Sequence, residues 1–419
     1  MKKSLFAVAA LSAIAGSAQA QSSVTVYGLM DLGYVGYNTR QAGQGTGGNT
    51  VNKTTGNAFS SSGESTSRLG FKGTEDLGGG ASAFFTVELG LTPNNQQSVN
   101  SGATQNRQTF VGLKKNGIGQ FALGTQYTVV HNAVAATDPG QANNIAGNLI
   151  YPAITEGQGG QDNSTGAGYT IRTNNQLSLN SETFAGFKAN AMLVMNNKNQ
   201  NETIVSAGTT TTTTGGLNNQ NGWGLGLDYT FKNFYATANY QALTSKQSTQ
   251  TVNTTGTTIA TYMPVGAPTP GYAGASSAGG TNVQDNQWYV AATYDFGILK
   301  AYAQYITRKV SAQQNNSYYL NRSAEQIGVR SFITPTIEAW VSGGLGRYTG
   351  YGSNAANMTA WQIGSNYWLS KRTNLYAIYG QAGTSNATQP TSINGVSAAS
   401  TNPVSSNVSN YAIGVRHTF

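Results

Sequence analysis

The stretch YAIGVRHTF, residues 411–419, alternates large apolar side chains with small or polar ones up to its last residue. Tyr411, Ile413, Val415 and Phe419 share one parity, with His417 as its weak member, and Ala412, Gly414, Arg416 and Thr418 share the other. Successive side chains on an extended chain point to opposite faces, so this is a ribbon with one apolar face and one wet face. What the apolar face touches decides the fold.

Working back from that end, the same alternation returns in VTVYGLMDLGYVGYN (24–38), SRLGFKGTEDL (67–77), ASAFFTVELGL (81–91), RQTFVGLKKN (107–116) and GQFALGTQY (119–127). Ten further segments, from YTIRTNNQLSL to NLYAIYGQAG, bring the total to sixteen. Seven of the links between them are tight and built from turn residues, among them EDLGGG, KKNG, SETFAG and DFG. The other eight are long and rich in Gly, Asn, Thr and Ser, for example 39–66, 128–168, 196–221, 246–285 and 385–408. Short and long links alternate strictly, as an antiparallel meander with all its tight turns at one end requires.

Composition narrows the setting. Charged residues make up 9% of the 419, against about 25% in soluble domains, while Gly reaches 53 and Tyr 23. The formal net charge of +8 is spread singly along the chain and not gathered into a patch, which argues against a nucleic-acid partner. The absence of cysteine excludes a disulfide framework and any Cys-ligated metal. At the front, Met1, Lys2 and Lys3 precede the apolar run LFAVAALSAIA and the small-x-small triplet Ala18-Gln19-Ala20. That is the form of a cleaved secretory signal over residues 1–20, leaving 21–419 as the mature chain.

Periodicity then selects among the remaining classes. A soluble solenoid repeats at a fixed length, and the long links here vary widely. Disordered chains are poor in the aromatic residues that recur here at alternating positions. In hydrocarbon every unpaired backbone N–H or C=O costs several kcal/mol, so a sheet that crosses a membrane must close on itself. The expected fold is all-β: a transmembrane antiparallel β-barrel of about sixteen strands, with short periplasmic turns and long external loops. On this reading the apolar face of 411–419 touches lipid, and the last strand closes against the first. Tyr27, Trp288, Tyr294, Trp361, Tyr367 and Tyr411 are expected in interfacial girdles, and Trp368, sharing parity with Gln362 and Asn366, in the lumen.

The run of VTVYGLMDLG, SRLGFKGTEDLGGGASAFFTVE and RQTFVGLKKNGIGQFALGTQY, closed by the aromatic-terminated last strand, resembles the Gram-negative general porins, closest in style to the β-proteobacterial branch. The resemblance covers the whole mature chain. It implies a water-filled channel for passive diffusion of ions and small hydrophilic solutes, a homotrimer, and residence among outer-membrane lipid and lipopolysaccharide. Export past periplasmic chaperones to the barrel-assembly machinery follows, with Tyr411 and Phe419 as the closure and assembly signal. It also implies a third loop, about 128–168, folded into the lumen, its acids facing arginines on the wall. Arg68 and Arg107 stand at the basic-wall positions and Arg172 resembles the third. Asp138 takes the place of a loop acid. The Pro-Glu-Phe-Gly-Gly stretch of enterobacterial relatives is missing, which leaves Glu156 and Asp162 as candidates for a second. Lys72 and Arg416 fall on the lumen face by parity, and loop two, about 92–106, would latch onto a neighbouring subunit. Three basic wall positions against one acid imply weak anion preference.

Other classes leave weaker marks. A hydrolase needs a base beside a nucleophile, and the two histidines, His131 and His417, lie in a loop and on a lipid-facing strand, so no catalytic residue, metal or cofactor is assigned. The glycines of GWGLGLD and GLGRYTG sit inside strands and precede no helix, so a nucleotide-binding fingerprint fails. A channel specific for organic acids or sugars is the nearest alternative, and a surface adhesin or structural barrel a more distant one.

Overall fold

The computed structural model describes residues 23–45, 48–94, 105–152, 168–207, 210–247, 252–253, 281–312, 319–350, 355–387 and 404–419. The expected leader over 1–20 and most of the expected loop two lie outside them. Strand β1 spans Ser23–Gly45, and β2 consists of two segments, Gly48–Ser61 and Arg68–Gly78, both paired with β1. Next come β3 (Ala81–Gly90), β4 (Gln105–Lys115), β5 (Gly119–Tyr127), the helix α1 (Val129–Thr137), β6 (Arg172–Ser181), β7 (Phe187–Ala207) and β8 (Thr210–Phe231). The second half holds β9 (Phe234–Gln247), β10 (Thr281–Asp295), β11 (Lys300–Ala312), β12 (Tyr319–Phe332) and β13 (Ile337–Gly350). It ends with β14 (Ala356–Trp368), β15 (Thr373–Ala387) and β16 (Val404–Thr418). Each strand pairs antiparallel with its sequence neighbour, and β16 pairs with β1 from Leu29↔Thr418 to Ala42↔Ser405, so the sheet is a closed sixteen-strand barrel. An additional two-residue piece, Val252–Asn253, pairs with the start of β8.

The seam uses the last residue. Phe419 and Gly28 exchange backbone hydrogen bonds of 3.1 Å in both directions, extending the β1/β16 ladder by one pair. Gly28 has no side chain because the Phe419 ring occupies the space where its Cβ would stand, and the Tyr411 ring covers Gly36 in the same way.

Outward positions are apolar as lipid contact demands: Tyr411, Ile413, Val415 and Phe419 are all exposed on β16. Trp288, Tyr294, Trp361 and Tyr367 are likewise exposed on the outer face, in the girdle places their parity predicts. Tyr27 is a correction. It points inward, because its parity on β1 is that of buried Leu29 and Asp31, and its hydroxyl donates to Glu88. Trp368 is in the lumen as expected, donating to Glu338.

Two of the expected loops are mostly strand. β1 runs on to Gly45 and returns from Gly48, and β7 runs to Ala207 before β8 begins at Thr210. Beyond the membrane both faces of a hairpin are wet, so its residues lose the apolar alternation and read as loop. Residues 62–67, at the end of the link 39–66, leave the ladder and turn inward, splitting β2.

The apolar core lies inside the barrel. Helix α1 starts at Thr128, whose hydroxyl caps the His131 N–H at 3.2 Å, and it packs Val130, Ala133 and Val134 with Met192, Tyr289 and Ile306 of the inner wall. A smaller cluster sets Ile145 against Val35, Trp340, Tyr376 and Ile378. No helix among the described residues is long and apolar enough to cross a membrane, which has no bearing on a barrel that crosses with strands.

Candidate functional site

The first six strands carry a line of lumen-facing side chains. Glu88 on β3 is its centre: it accepts from Arg107 Nε at 2.8 Å and from the Tyr27 hydroxyl at 3.1 Å, and Arg68 Nη1 lies 3.8 Å away. Arg107 Nη2 donates to the Tyr127 hydroxyl at 2.7 Å, and the Arg172 guanidinium lies 5.0 Å from the centre of the Tyr127 ring. The three arginines named from the sequence are thus on one stretch of wall, linked through Glu88 and Tyr127. Among the described residues, Glu88 is the one carboxylate this line contains. Arg68 is further oriented by the inward segment of β2, donating to Thr66 O and Ser65 Oγ at 2.9 and 3.0 Å. Lys72 lies toward the tight-turn end, 5.4 Å from the Tyr27 ring.

That inward segment is held by Asp31, whose carboxylate accepts from the N–H groups of Glu64 and Ser65 at 2.8 and 2.6 Å and from the Tyr376 hydroxyl at 2.6 Å. Arg416 Nη1 reaches Glu64 at 3.4 Å and stacks over Trp368, on the lumen face assigned to it.

The third loop runs round the remaining wall, fastened by a series of buried glutamines. Gln287 on β10 takes the Thr170 N–H at 2.8 Å, and Gln326 on β12 takes that of Leu149 at 3.0 Å. Gln362 on β14 pairs with the Asn143 side chain in both directions and donates to the carbonyls of Ile145 and Ala146. Each glutamine is fully buried, so each satisfies loop backbone that would otherwise be dry and unpaired. Arginines join in: Arg330, paired with Glu338 at 2.6 Å, donates to Pro139 O, and Arg322 donates to Leu149 O. Arg308 is matched by Asp285 at 2.8 Å. Asn144 closes the circuit by donating to Ser62 O on the inward segment of β2.

Asp138 belongs to this fastening. It is 3% exposed, and its carboxylate accepts from Ala142 N, Asn148 and Gln326 at 2.7, 2.8 and 3.2 Å, so it is enclosed beneath the loop and not presented to the lumen. Burial pushes this carboxyl up, partly offset by the Ala142 and Asn148 hydrogen bonds. Glu156 and Asp162 lie outside the described residues. His131 is buried, with Nδ1 2.9 Å from the Tyr169 hydroxyl and its ring beside Tyr127; His417 is on the outer face, hydrogen-bonded to Thr373.

Sequence reasoning passed over Glu88, Tyr127, the glutamines and the three arginines behind the loop. Glu88 was within reach, since it shares parity with Thr86 on a strand whose other face carries Phe85 and Val87. The glutamines read as lumen residues by parity, but nothing in the sequence names their partners, well over a hundred residues away.

A closed barrel with an apolar exterior, a polar line along part of its inner wall and a loop packed inside it is the architecture of a membrane channel. The chain belongs to the Gram-negative porin family, which matches residues 7–387. It is 34% identical over 216 residues to outer membrane porin protein 32 of Delftia acidovorans, covering 52% of this chain and 55% of that one. It is 37% identical over 153 residues to an outer membrane porin protein of Bordetella pertussis, covering 34% and 39%. The chain thus spans about half the length, or less, of these curated relatives. Among solved structures, the anion-selective porin from Comamonas acidovorans superposes with a TM-score of 0.63 at 20% identity, over 95% of this chain and 100% of that one. OmpT of Vibrio cholerae gives 0.57 at 13%, over 95% and 98%. At these identities the likeness concerns the fold.

Proposed function

We propose that the protein is an outer-membrane porin, exported with a cleaved leader and assembled as a homotrimer, through which ions and small hydrophilic solutes diffuse passively with weak preference for anions. The observation that carries this reading is the line Arg68, Arg107 and Arg172 on the lumen wall with Glu88 as the carboxylate among them. Fixed charge in a narrow, low-dielectric passage acts on a permeating ion more strongly than in bulk water, and a wall with an excess of guanidinium favours anions. Behind the loop, Arg308 and Arg330 add little to that field, because Asp285 and Glu338 lie against them. With Asp138 enclosed, the loop's opposing charge rests on residues outside those described, so the anion preference is argued from the wall alone.

The test is the purified protein in a planar bilayer. Ohmic steps grouped in threes and a reversal potential of anion sign in a salt gradient are expected. A clear cation sign would overturn the selectivity, and a silent bilayer the channel itself.

A further inference from the structure

Two phenyl rings stand on the lumen face just below the arginine line, where a water-filled barrel carries polar side chains. ASAFFTVELGL sets Phe84 beside outward Phe85, and RQTFVGLKKN sets Phe110 beside outward Val111, so at this level β3 and β4 are apolar on both faces. The inward pair meets edge to face, with 6.3 Å between ring centres, and both rings are half-buried. Their same-face neighbours across the ladders, Thr74 and Gly112 for Phe84, Thr86 and Gly124 for Phe110, are too short to roof them. Neither ring belongs to the apolar clusters that seat the third loop. Apolar surface kept open to water where packing does not need it marks a contact site.

A cation shares the row. Lys72 on β2 pairs with Thr86, and Thr86 pairs with Phe110, so ammonium, hydroxyl and phenyl follow one another across three strands, roughly 10 Å from the first backbone to the last. On β3, Glu88 stands one same-face step above Thr86 and Phe84 one step below, roughly 7 Å either way. Lys72 is exposed, lies 5.4 Å from the centre of the Tyr27 ring and has no acidic partner among the described residues. The carboxylate above the row, Glu88, is already engaged by Arg107 at 2.8 Å. These side chains enclose a bay with an ammonium on one side, phenyl edges on the other side and below, and Thr86 as its floor. An aliphatic anion would reach Lys72 and leave the rings wet, and a sugar would leave the ammonium without a counter-charge.

On the reading of the barrel as an anion-passing channel, we infer that this bay is a subsite for aryl anions, solutes with one aromatic ring carrying one carboxylate. The carboxylate accepts from Lys72 and from the Thr86 hydroxyl, and the ring packs against Phe84 and Phe110. A solute arriving along the arginine line meets the bay one same-face step further in, so the line collects anions by charge and the bay sorts them by shape.

The experiment uses the full-length protein in detergent, with benzoate as the probe, its binding read by saturation-transfer NMR, and acetate and benzamide as competitors. The two ring contacts together are worth about tenfold in affinity and the exposed charge contact about threefold. Acetate, which lacks the ring, should therefore compete about tenfold more weakly than benzoate itself, and benzamide, which lacks the charge, about threefold more weakly. That arm needs no variant to fold. Phe84→Ser/Phe110→Ser should weaken benzoate about tenfold, and Lys72→Gln should weaken it about threefold and remove its advantage over benzamide. Equal competition by acetate or by benzamide, or benzoate binding unchanged in both variants, would overturn the assignment. Because binding is read without current, a silent bilayer with benzoate still bound would count against the channel, and a conducting protein that does not bind benzoate would count against the subsite.

Discussion

Glu88 is the residue on which the wall's charge balance turns. Replacing it with Gln removes a negative charge from between two arginines while keeping a hydrogen-bond acceptor for Arg107. A unit charge about 6 Å from the ion path, screened by water, is worth roughly 0.7 kcal/mol, with opposite sign for an anion and a cation, so Glu88→Gln should raise the anion-to-cation permeability ratio roughly tenfold. A reversal potential unchanged by that substitution would show that ions do not pass this wall. Asp138 makes a second, pH-dependent prediction. Its folded carboxyl holds a proton more tightly than the unfolded chain does, because burial raises it. Between the ordinary carboxylate value and the raised one the native state therefore binds more protons, and stability falls as pH rises through that window. Thermal melts of the unaltered protein should show this slope, and Asp138→Asn, which cannot titrate, should lose that part of it; identical slopes would contradict the burial argument.

At the scale of elements, the strands were legible and the loop was not. All sixteen alternating segments lie in or directly on strands, because lipid on one side and water on the other impose a period of two that nothing else in the chain imitates. Where that contrast ends, as in 39–45 and 196–207, strands continue unseen. Inside the third loop no period applies: Asp138 reads as a lumen acid until Gln326 and Asn148 are found against it. The loop's position should depend on the glutamines. Gln362→Leu leaves the carbonyls of Ile145 and Ala146 buried without donors, a cost of about 1–3 kcal/mol for a buried group left unpaired. Added low-frequency current noise and faster protease cleavage within 138–152 are expected, and a quiet, resistant variant would mean the loop is held otherwise. The seam makes a parallel case. Gly28→Val should lower the folded fraction in a heat-modifiability gel, since the new side chain needs the space of the Phe419 ring. Gly28→Val/Phe419→Ala should recover part of it, and a single variant that folds as well as the unaltered protein would remove the seam from the account.

For the whole molecule, the sequence pattern carries the closed cylinder and its orientation, and family membership agrees with both. The arginine positions came from resemblance and parity together, and their meeting on one wall depends on the order of β2 to β6 round the barrel, which a strict meander fixes. What neither pattern nor parity could supply is the division of the interior into an open charged side and a side packed by the loop. That division rests on side-chain pairings across the lumen, such as Asn143 with Gln362.

Conduction along the arginine wall can be measured directly, because the chain has no native cysteine. With Arg172→Cys in a planar bilayer, a charged thiosulfonate reagent should reduce the open current stepwise, one subunit at a time, while Ile327→Cys on the outer face should leave it unchanged. A current indifferent to reagent at position 172, with labelling there confirmed by mass, would show that the path of conduction lies elsewhere.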